Sequence, residues 1–287
     1  MSSVLLVDLS SIVHRHWHAT TNDVNPDATS EASLRQVHGL ASAHDHVAIC
    51  CDSGKSFRAE EVPSYKANRP KERNEPLYHQ MTLTREALVR DGFPVWAVPG
   101  FEADDLIASA TRAVLANDET TTVLIASADK DLLALVNDRV SVKSVQTGNV
   151  ADVAAVREKF GVAPEQMTDY LTMVGDSSDN IAGIRGVGPK RAVELLTKFG
   201  SLDELYVDFN KATPTQYRDL GFTPALVSAL EEFAPRLDET RRLVLLREDV
   251  ALPIADLWKP RESAPSTDGF EAGGFEAPTD EEEEIMQ

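Results

Sequence analysis

With 287 residues, 42% of them hydrophobic and 26% charged, the chain has the length of about two domains and the composition of an ordinary globular protein. Collagen-like, wholly disordered and cysteine-scaffold classes are excluded. No run approaches the roughly 20 apolar residues that span a bilayer, and the first eight residues lack the basic flank of a signal peptide. Net charge is −19, a poor match to a broad basic nucleic-acid footprint, but residues 261–287 hold nine acids against one base, leaving −11 for the body.

In chain order, short β-branched runs at residues 4–7, 47–51, 95–98 and 123–126 alternate with helical segments such as 83–90 and 105–115. That alternation predicts an α/β fold with a mostly parallel central sheet and flanking helices. A run at 140–145 predicts an edge strand. Beyond about residue 150 the pattern is helical only, at 153–160, 167–174, 190–199, 223–233 and 238–246. The expected layout is an α/β domain over 1–160, a helical domain over 161–258 and a disordered acidic tail over 259–287. Cys50 and Cys51, adjacent in an apolar run, read as buried free thiols of a cytoplasmic protein.

Open parallel sheets bind ligands beyond the carboxyl ends of their strands. Each of the first four predicted strands runs into acid there: Asp8, Asp52, Glu102 with Asp104 and Asp105, and Asp129 with Asp131. One such acid is as readily a helix cap. Four in the same topological place concentrate mutually repelling charge, which divalent cations relieve; oxygen-only ligation points to Mg²⁺ or Mn²⁺. Asp176 and Asp179, three residues apart, are weaker and alone read as a solvated loop.

Two basic features accompany the acids. In residues 184–192 a glycine turn, Gly186-Val187-Gly188, enters a helix at Pro189 with Lys190 and Arg191 directly after it, which suits a nucleic-acid backbone better than a plain helix–helix turn. The stretch 55–73 carries Lys55, Arg58, Lys66, Arg69, Lys71 and Arg73 with Phe57 and Tyr65 interleaved, a pattern for nucleic-acid contact rather than a solvated loop.

Taken together, VDLSSIVHR (7–15), CDSGKSFRAEEVPSYKANRP (51–70), GFEADDLIA (100–108), SADKDLLALV (127–136) and MVGDSSDNIAGIRGVGPKRA (173–192) resemble the 5′ nuclease superfamily. That superfamily includes the 5′–3′ exonuclease domain of bacterial DNA polymerase I, stand-alone phage 5′ nucleases and, more distantly, flap endonucleases. The resemblance spans residues 4 to about 250, with the motifs in the family's order. It implies that Asp8, Asp52, Glu102, Asp104, Asp105, Asp129, Asp131, Asp176 and Asp179 form a site for two divalent metals. Without these nine the body charge is only −2. It further implies that Lys66 and Arg69 act at the base of a helical arch over about 65–93, with Arg15 near the scissile phosphate. The segment 173–200 would form a helix–hairpin–helix variant that grips duplex through Arg185, Gly186, Gly188, Lys190 and Arg191, with hairpin carbonyls able to bind K⁺. Lys55, Arg58 and Tyr65 would also contact DNA.

Leu9 stands where relatives often have Gly, and His14 where they often stack Tyr or Phe on a base. The implied activity is Mg²⁺-dependent hydrolysis of DNA near a 5′ flap, nick or frayed end, giving 5′-phosphate and 3′-hydroxyl, in replication or repair at the nucleoid. RNA-containing duplex is a further candidate substrate. No polymerase region follows within these residues, so a stand-alone nuclease is expected. A quiet DNA-junction binder and an RNA-cutting enzyme are the competing readings; the full carboxylate set opposes the first and the duplex-suited hairpin the second. His14, His16 and His18 make a poor zinc set, because only His14 and His18 share a helical face. The acidic tail reads as a solvated end, with docking of a basic protein partner as the alternative.

Overall fold

The computed structural model describes residues 2–20, 25–69 and 75–259; Lys71, Arg73 and the acidic tail beyond Lys259 lie outside the described residues. Strands β1 (Ser3–Asp8), β2 (His46–Cys50), β3 (Val95–Trp96), β4 (Thr122–Ser127) and β5 (Val140–Ser144) are parallel, in the order β3-β2-β1-β4-β5. Short β6 (Val150–Ala151) closes the edge antiparallel to β5. Alternation along each strand sends side chains to opposite faces. Val4, Leu6, Ala48, Cys50, Val123 and Ile125 enter one core; Leu5, Val7, Val47, Ile49 and Ala126 enter the other.

Helices α1 (Leu9–Thr20), α2 (Ala28–Ala41) and α4 (Glu75–Arg90) cover the Leu5 face, contributing Ile12, Val37 and Leu88. A one-turn helix α3 (Phe57–Glu61) follows β2. Helix α5 (Ala103–Asn117) covers the Leu6 face through Leu106, Ile107, Ala110 and Val114. After β6 come α6 (Val153–Phe160) and α7 (Met167–Val174), then a small hairpin of β7 (Gly175–Asp176) and β8 (Ile181–Ala182). Helices α8 (Pro189–Phe199), α9 (Leu202–Lys211), α10 (Pro224–Phe233) and α11 (Leu237–Val244) complete the helical part. The core on the α5 face continues without a break into Met167, Leu196, Leu205 and Phe233, so the two parts share one apolar interior. Residues 243–258 then return across the α/β part: His46 Nδ1 lies 3.1 Å from the Leu257 carbonyl, and its ring packs edge-on against Trp258. No helix among the described residues is long and apolar enough to cross a membrane.

Several elements differ from expectation: the run at 140–145 is not the edge, because β6 pairs outside it, and the short strands β6, β7 and β8 interrupt a region expected to be helical only. α2 is absent from the predicted set because its buried face includes Thr29, Ser30 and Ser33 in place of an apolar stripe. The Ser33 hydroxyl donates back to the Thr29 carbonyl, and Gln80 Oε1 on α4 accepts the Ser30 N–H at 2.9 Å. α4 starts at Glu75 rather than near 83, its first turns burying Leu77 and Gln80. α9 is also outside the expected set, although Leu202, Leu205, Tyr206 and Phe209 give it a stripe at helical spacing.

Candidate metal centre and nucleic-acid interface

Parallel register builds the rim. Asp8 pairs with Cys50 and Val7 with Ala126, so the carboxyl ends of β1, β2 and β4 lie level. Asp8 accepts hydrogen bonds from Ser11 N (3.1 Å), Ser11 Oγ (2.5 Å) and Ser127 Oγ (2.6 Å). Asp52 accepts from the Ser10 hydroxyl and from Ala103 N at 2.9 Å, which ties the end of β2 to the start of α5. Asp104 projects from that first turn, and Asp129 Oδ1 accepts the Asp131 N–H at 2.8 Å. The end of β7 and the loop to β8 bring in the rest: Lys130 donates to Asp176 at 2.7 Å and Arg69 to Asp179 at 2.6 Å.

The electrostatics are those of an undercompensated anionic cleft. Burial, then repulsion from Asp52, lifts Asp8 to about 6 despite its hydrogen bonds. Burial and then Asp129 lift Asp131 to about 8. Asp104 is raised well above the usual carboxylate range by burial, with Asp129, Asp8, Asp52 and Asp131 adding to it, and burial also raises Asp129. Asp176 is the exception; burial opposes its charge, but Lys130 and Ser178 outweigh that and hold its pKa down. Cations already serve the outer acids: Lys66 Nζ donates to Glu102, and burial of that ammonium is outweighed by Glu102 and Asp179, raising its pKa.

Among the described residues no group of three or more His, Cys, Asp or Glu side chains closes tightly enough to enclose an ion as arranged here. The carboxylates instead stand within reach of each other's charge at the strand ends. An all-oxygen set that does not close into a cage fits Mg²⁺, which keeps several of its waters and takes one or two carboxylates. Burial first and mutual repulsion after it raise Asp104, Asp129 and Asp131, and a dication would offset both by favouring the charged carboxylates.

The base of the expected arch docks on this cleft. Lys66 has φ +55°, a left-handed conformation costing a non-glycine residue about 1–2 kcal/mol, and its N–H donates to the Asp179 carbonyl at 2.9 Å. His14 on α1 keeps solvent-accessible surface but has part of its ring desolvated by neighbouring protein, which is the first cause lowering its pKa; Asp52 and Arg69 are within charge range. Lys55 is exposed in the turn after β2. Arg15 is exposed one residue on, donating to Gln36 Oε1 at 3.0 Å and lining a cavity of about 150 Å³ with Lys143 and Ser144.

Three expected roles are corrected. Asp105 is fully buried, and both its oxygens accept from Arg58 (2.7 and 2.8 Å), so it is not available to a metal. Arg58, 2% exposed, does not reach DNA. It spends its remaining donors on Glu102 and on the Leu243 and Leu245 carbonyls of the returning segment. Tyr65 is likewise 6% exposed, its hydroxyl donating to Glu102 at 3.0 Å, so its ring is not a base-stacking platform. Phe57 packs on Phe101 with Arg58 and Arg247 over its ring. Among the described residues of that stretch, Phe57, Arg58 and Tyr65 thus belong to a packed seam. Ser10, Ser11, Ser127 and Lys130 join the site beyond the expected residues, and all four stand inside the motif stretches 7–15 and 127–136.

The glycine turn precedes α8 as expected. Gly186 has φ +76°, which favours glycine, whereas Gly188 has an extended backbone, and a Cβ at either would meet nothing within 4 Å. Internal packing therefore does not require the small residues, and the surface is open to close approach from outside. Lys190 is exposed at the start of α8. Arg185 pairs with Glu232 at 3.0 Å, while Arg191 donates to Glu194 and to the Gly221 carbonyl.

A level carboxylate rim on a parallel sheet, a basic loop docked on it and a glycine turn at a helix start define a nuclease-type architecture. The chain matches the family model for the 5′-3′ exonuclease N-terminal resolvase-like domain over residues 3–161 and that for the 5′-3′ exonuclease C-terminal SAM fold over 162–263. It belongs to the 5′–3′ exonuclease family, within the 5′ nuclease superfamily. It is 34% identical over 218 residues to the 5′-3′ exonuclease of Aquifex aeolicus, covering 74% of each chain. It is also 34% identical over 259 residues to DNA polymerase I of Pseudomonas aeruginosa, covering 88% of this chain but only 28% of that one. Among solved structures, a T5 5′-exonuclease with bound zinc superposes with TM-score 0.71 at 25% identity, covering 85% of this chain and 90% of that one. The catalytic core of Rad2 in complex with DNA shares the fold at TM-score 0.57 and 16% identity, covering 87% of this chain and 80% of that one.

Proposed function

We propose that the protein is a divalent-metal-dependent, structure-specific 5′ nuclease that hydrolyses DNA phosphodiesters near a 5′ single-strand/duplex junction. The observation carrying this reading is the row of repelling carboxylates at the strand ends with Lys66 and Arg69 docked beside it. Asp8, Asp52, Glu102 and Asp104 would hold one metal and Asp129, Asp131, Asp176 and Asp179 the second, with Mg²⁺ the natural occupant and Mn²⁺ a substitute. When bound, such a pair supplies a lowered water pKa and positive charge at the leaving oxygen. Lys66 and Arg69 bear on the scissile phosphate, offsetting charge that grows on its oxygens. Their bonds to Glu102 and Asp179 hold them oriented before substrate arrives.

The hairpin before α8 holds duplex backbone while the strand ending at the carboxylates unpairs, which favours flaps and frayed ends; water adds to phosphorus and the P–O3′ bond breaks, so that the products carry a 5′-phosphate and a 3′-hydroxyl. Labelled 5′-flap, nicked and RNA-containing duplexes incubated with Mg²⁺ or EDTA provide the test. Cutting near the flap junction with Mg²⁺ alone is expected. Binding without cutting would establish the junction binder instead, and a preference for the RNA strand the RNA-cutting reading.

A further inference from the structure

Among the described residues only Lys66 (φ +55°) and Asn180 (φ +58°) hold a left-handed backbone without being glycine. They belong to two loops that face each other, one at the arch base and one carrying Asp176 and Asp179. The loops are cross-stitched. Asn180 Nδ2 donates to the Ser64 carbonyl at 2.7 Å, Asn68 Nδ2 donates to the Ser177 carbonyl at 2.7 Å, and Lys66 N–H donates to the Asp179 carbonyl. The two capped carbonyls open the turns themselves: Ser64 O also accepts from Ala67 N, and Ser177 O from Asn180 N. Each loop's asparagine therefore fixes the turn of the other. Ser64, Asn68, Ser177 and Asn180 are all exposed, so core packing does not account for these bonds. Strained backbone persists where its surroundings over-determine it and gathers at functional sites. Here both left-handed residues meet at one seam, and that seam sets where the Lys66 ammonium stands relative to Glu102 and Asp179.

We infer that Asn180 and Asn68 are positioning residues for the cleavage reaction, forming a clasp that acts through the Lys66 backbone. The inference rests on the proposed role of Lys66 at the scissile phosphate. Asn180 combines two properties that its place demands, tolerance of the left-handed region and an amide donor. Position 68 needs the donor alone.

The test uses the full-length protein with Asn180→Gly, which keeps the backbone freedom and removes the amide, and Asn68→Ala. In the free protein, amide exchange of the segment containing Lys66 should accelerate by roughly tenfold in either variant, since exchange reports local opening. On a 5′-flap duplex with Mg²⁺, single-turnover cleavage should fall about tenfold while substrate affinity stays within about twofold. Placed on Lys66→Ala, the Asn180→Gly change should cost less than about twofold more, because coupled residues are non-additive. Unchanged exchange in both variants, or a full repeat of the rate loss on Lys66→Ala, would overturn the clasp. A wild-type protein that cuts none of the duplexes overturns the nuclease reading alone, and the exchange measurement then decides the clasp by itself.

Discussion

Asp8 and Asp131 hold protons well above the ordinary carboxylate range, at about 6 and about 8, because burial and neighbouring acids disfavour their charge. Both are raised on folding, so the stability they contribute is complete below their unfolded pKa. It is lost as pH climbs through the folded values. In EDTA the melting temperature should therefore fall as pH is raised from about 5 to about 9. Added Mg²⁺ should raise it most at the alkaline end, where the cleft carries its full charge. Asp131→Asn should flatten the alkaline part of that slope; a wild-type melting curve indifferent to pH and Mg²⁺ would count against metal binding here. At the same scale, Asp179→Asn and Lys66→Ala should each lower turnover on a 5′-flap substrate at least about tenfold, a floor set below the roughly 10²–10³ that a preorganised electrostatic group supplies. Near-normal cleavage by either would remove its assigned role.

Elements meet through α3 and the segment returning from α11. Arg58 occupies the junction, with Asp105 on one side and the Leu243 and Leu245 carbonyls on the other. Asp105 also accepts Arg247 N–H at 2.9 Å, and the Ser109 hydroxyl donates to the Arg247 carbonyl while accepting Val250 N–H. This latch holds the helical part against the α/β part and steadies Glu102 at the cleft. Removing one partner of a buried ion pair strands the other charge, so Arg58→Ala or Asp105→Ala should cost about 3–5 kcal/mol in urea unfolding. The double variant should cost clearly less than the two singles combined. Losses that add in full would mean the pair is not a unit.

The same region shows what the chain could and could not disclose. The strand runs and the acids that follow them were legible because period and position are local properties. The exclusion of Asp105 from the metal set was not, since its partner lies 47 residues away and the return segment farther still. Nor was α2, whose buried hydroxyls and bond to Gln80 replace the apolar stripe that announces a helix.

Viewed whole, the molecule separates its charges by task. Acid is gathered at the carboxyl ends of the strands, while exposed Lys190 stands at the opening of α8 beside the glycine turn. A net charge of −19 repels DNA at long range, so on the proposed function productive approach would depend on local cations and on bound metal. Lys190→Ala should therefore weaken binding of every duplex-containing substrate by a similar factor, whatever its sequence. It should also lower the slope of log affinity against log salt by about 1, the signature of one lost phosphate contact. Cleavage at saturating substrate should be unchanged, since the role proposed for the turn is in holding duplex and not in the chemical step. Arg191, already bonded to Glu194 and Gly221, should give a smaller change in slope when replaced by alanine. Titrations of a 5′-flap duplex in EDTA across a salt series check both. A slope unaltered by Lys190→Ala, or a loss confined to turnover, would move the duplex grip elsewhere on the helical part.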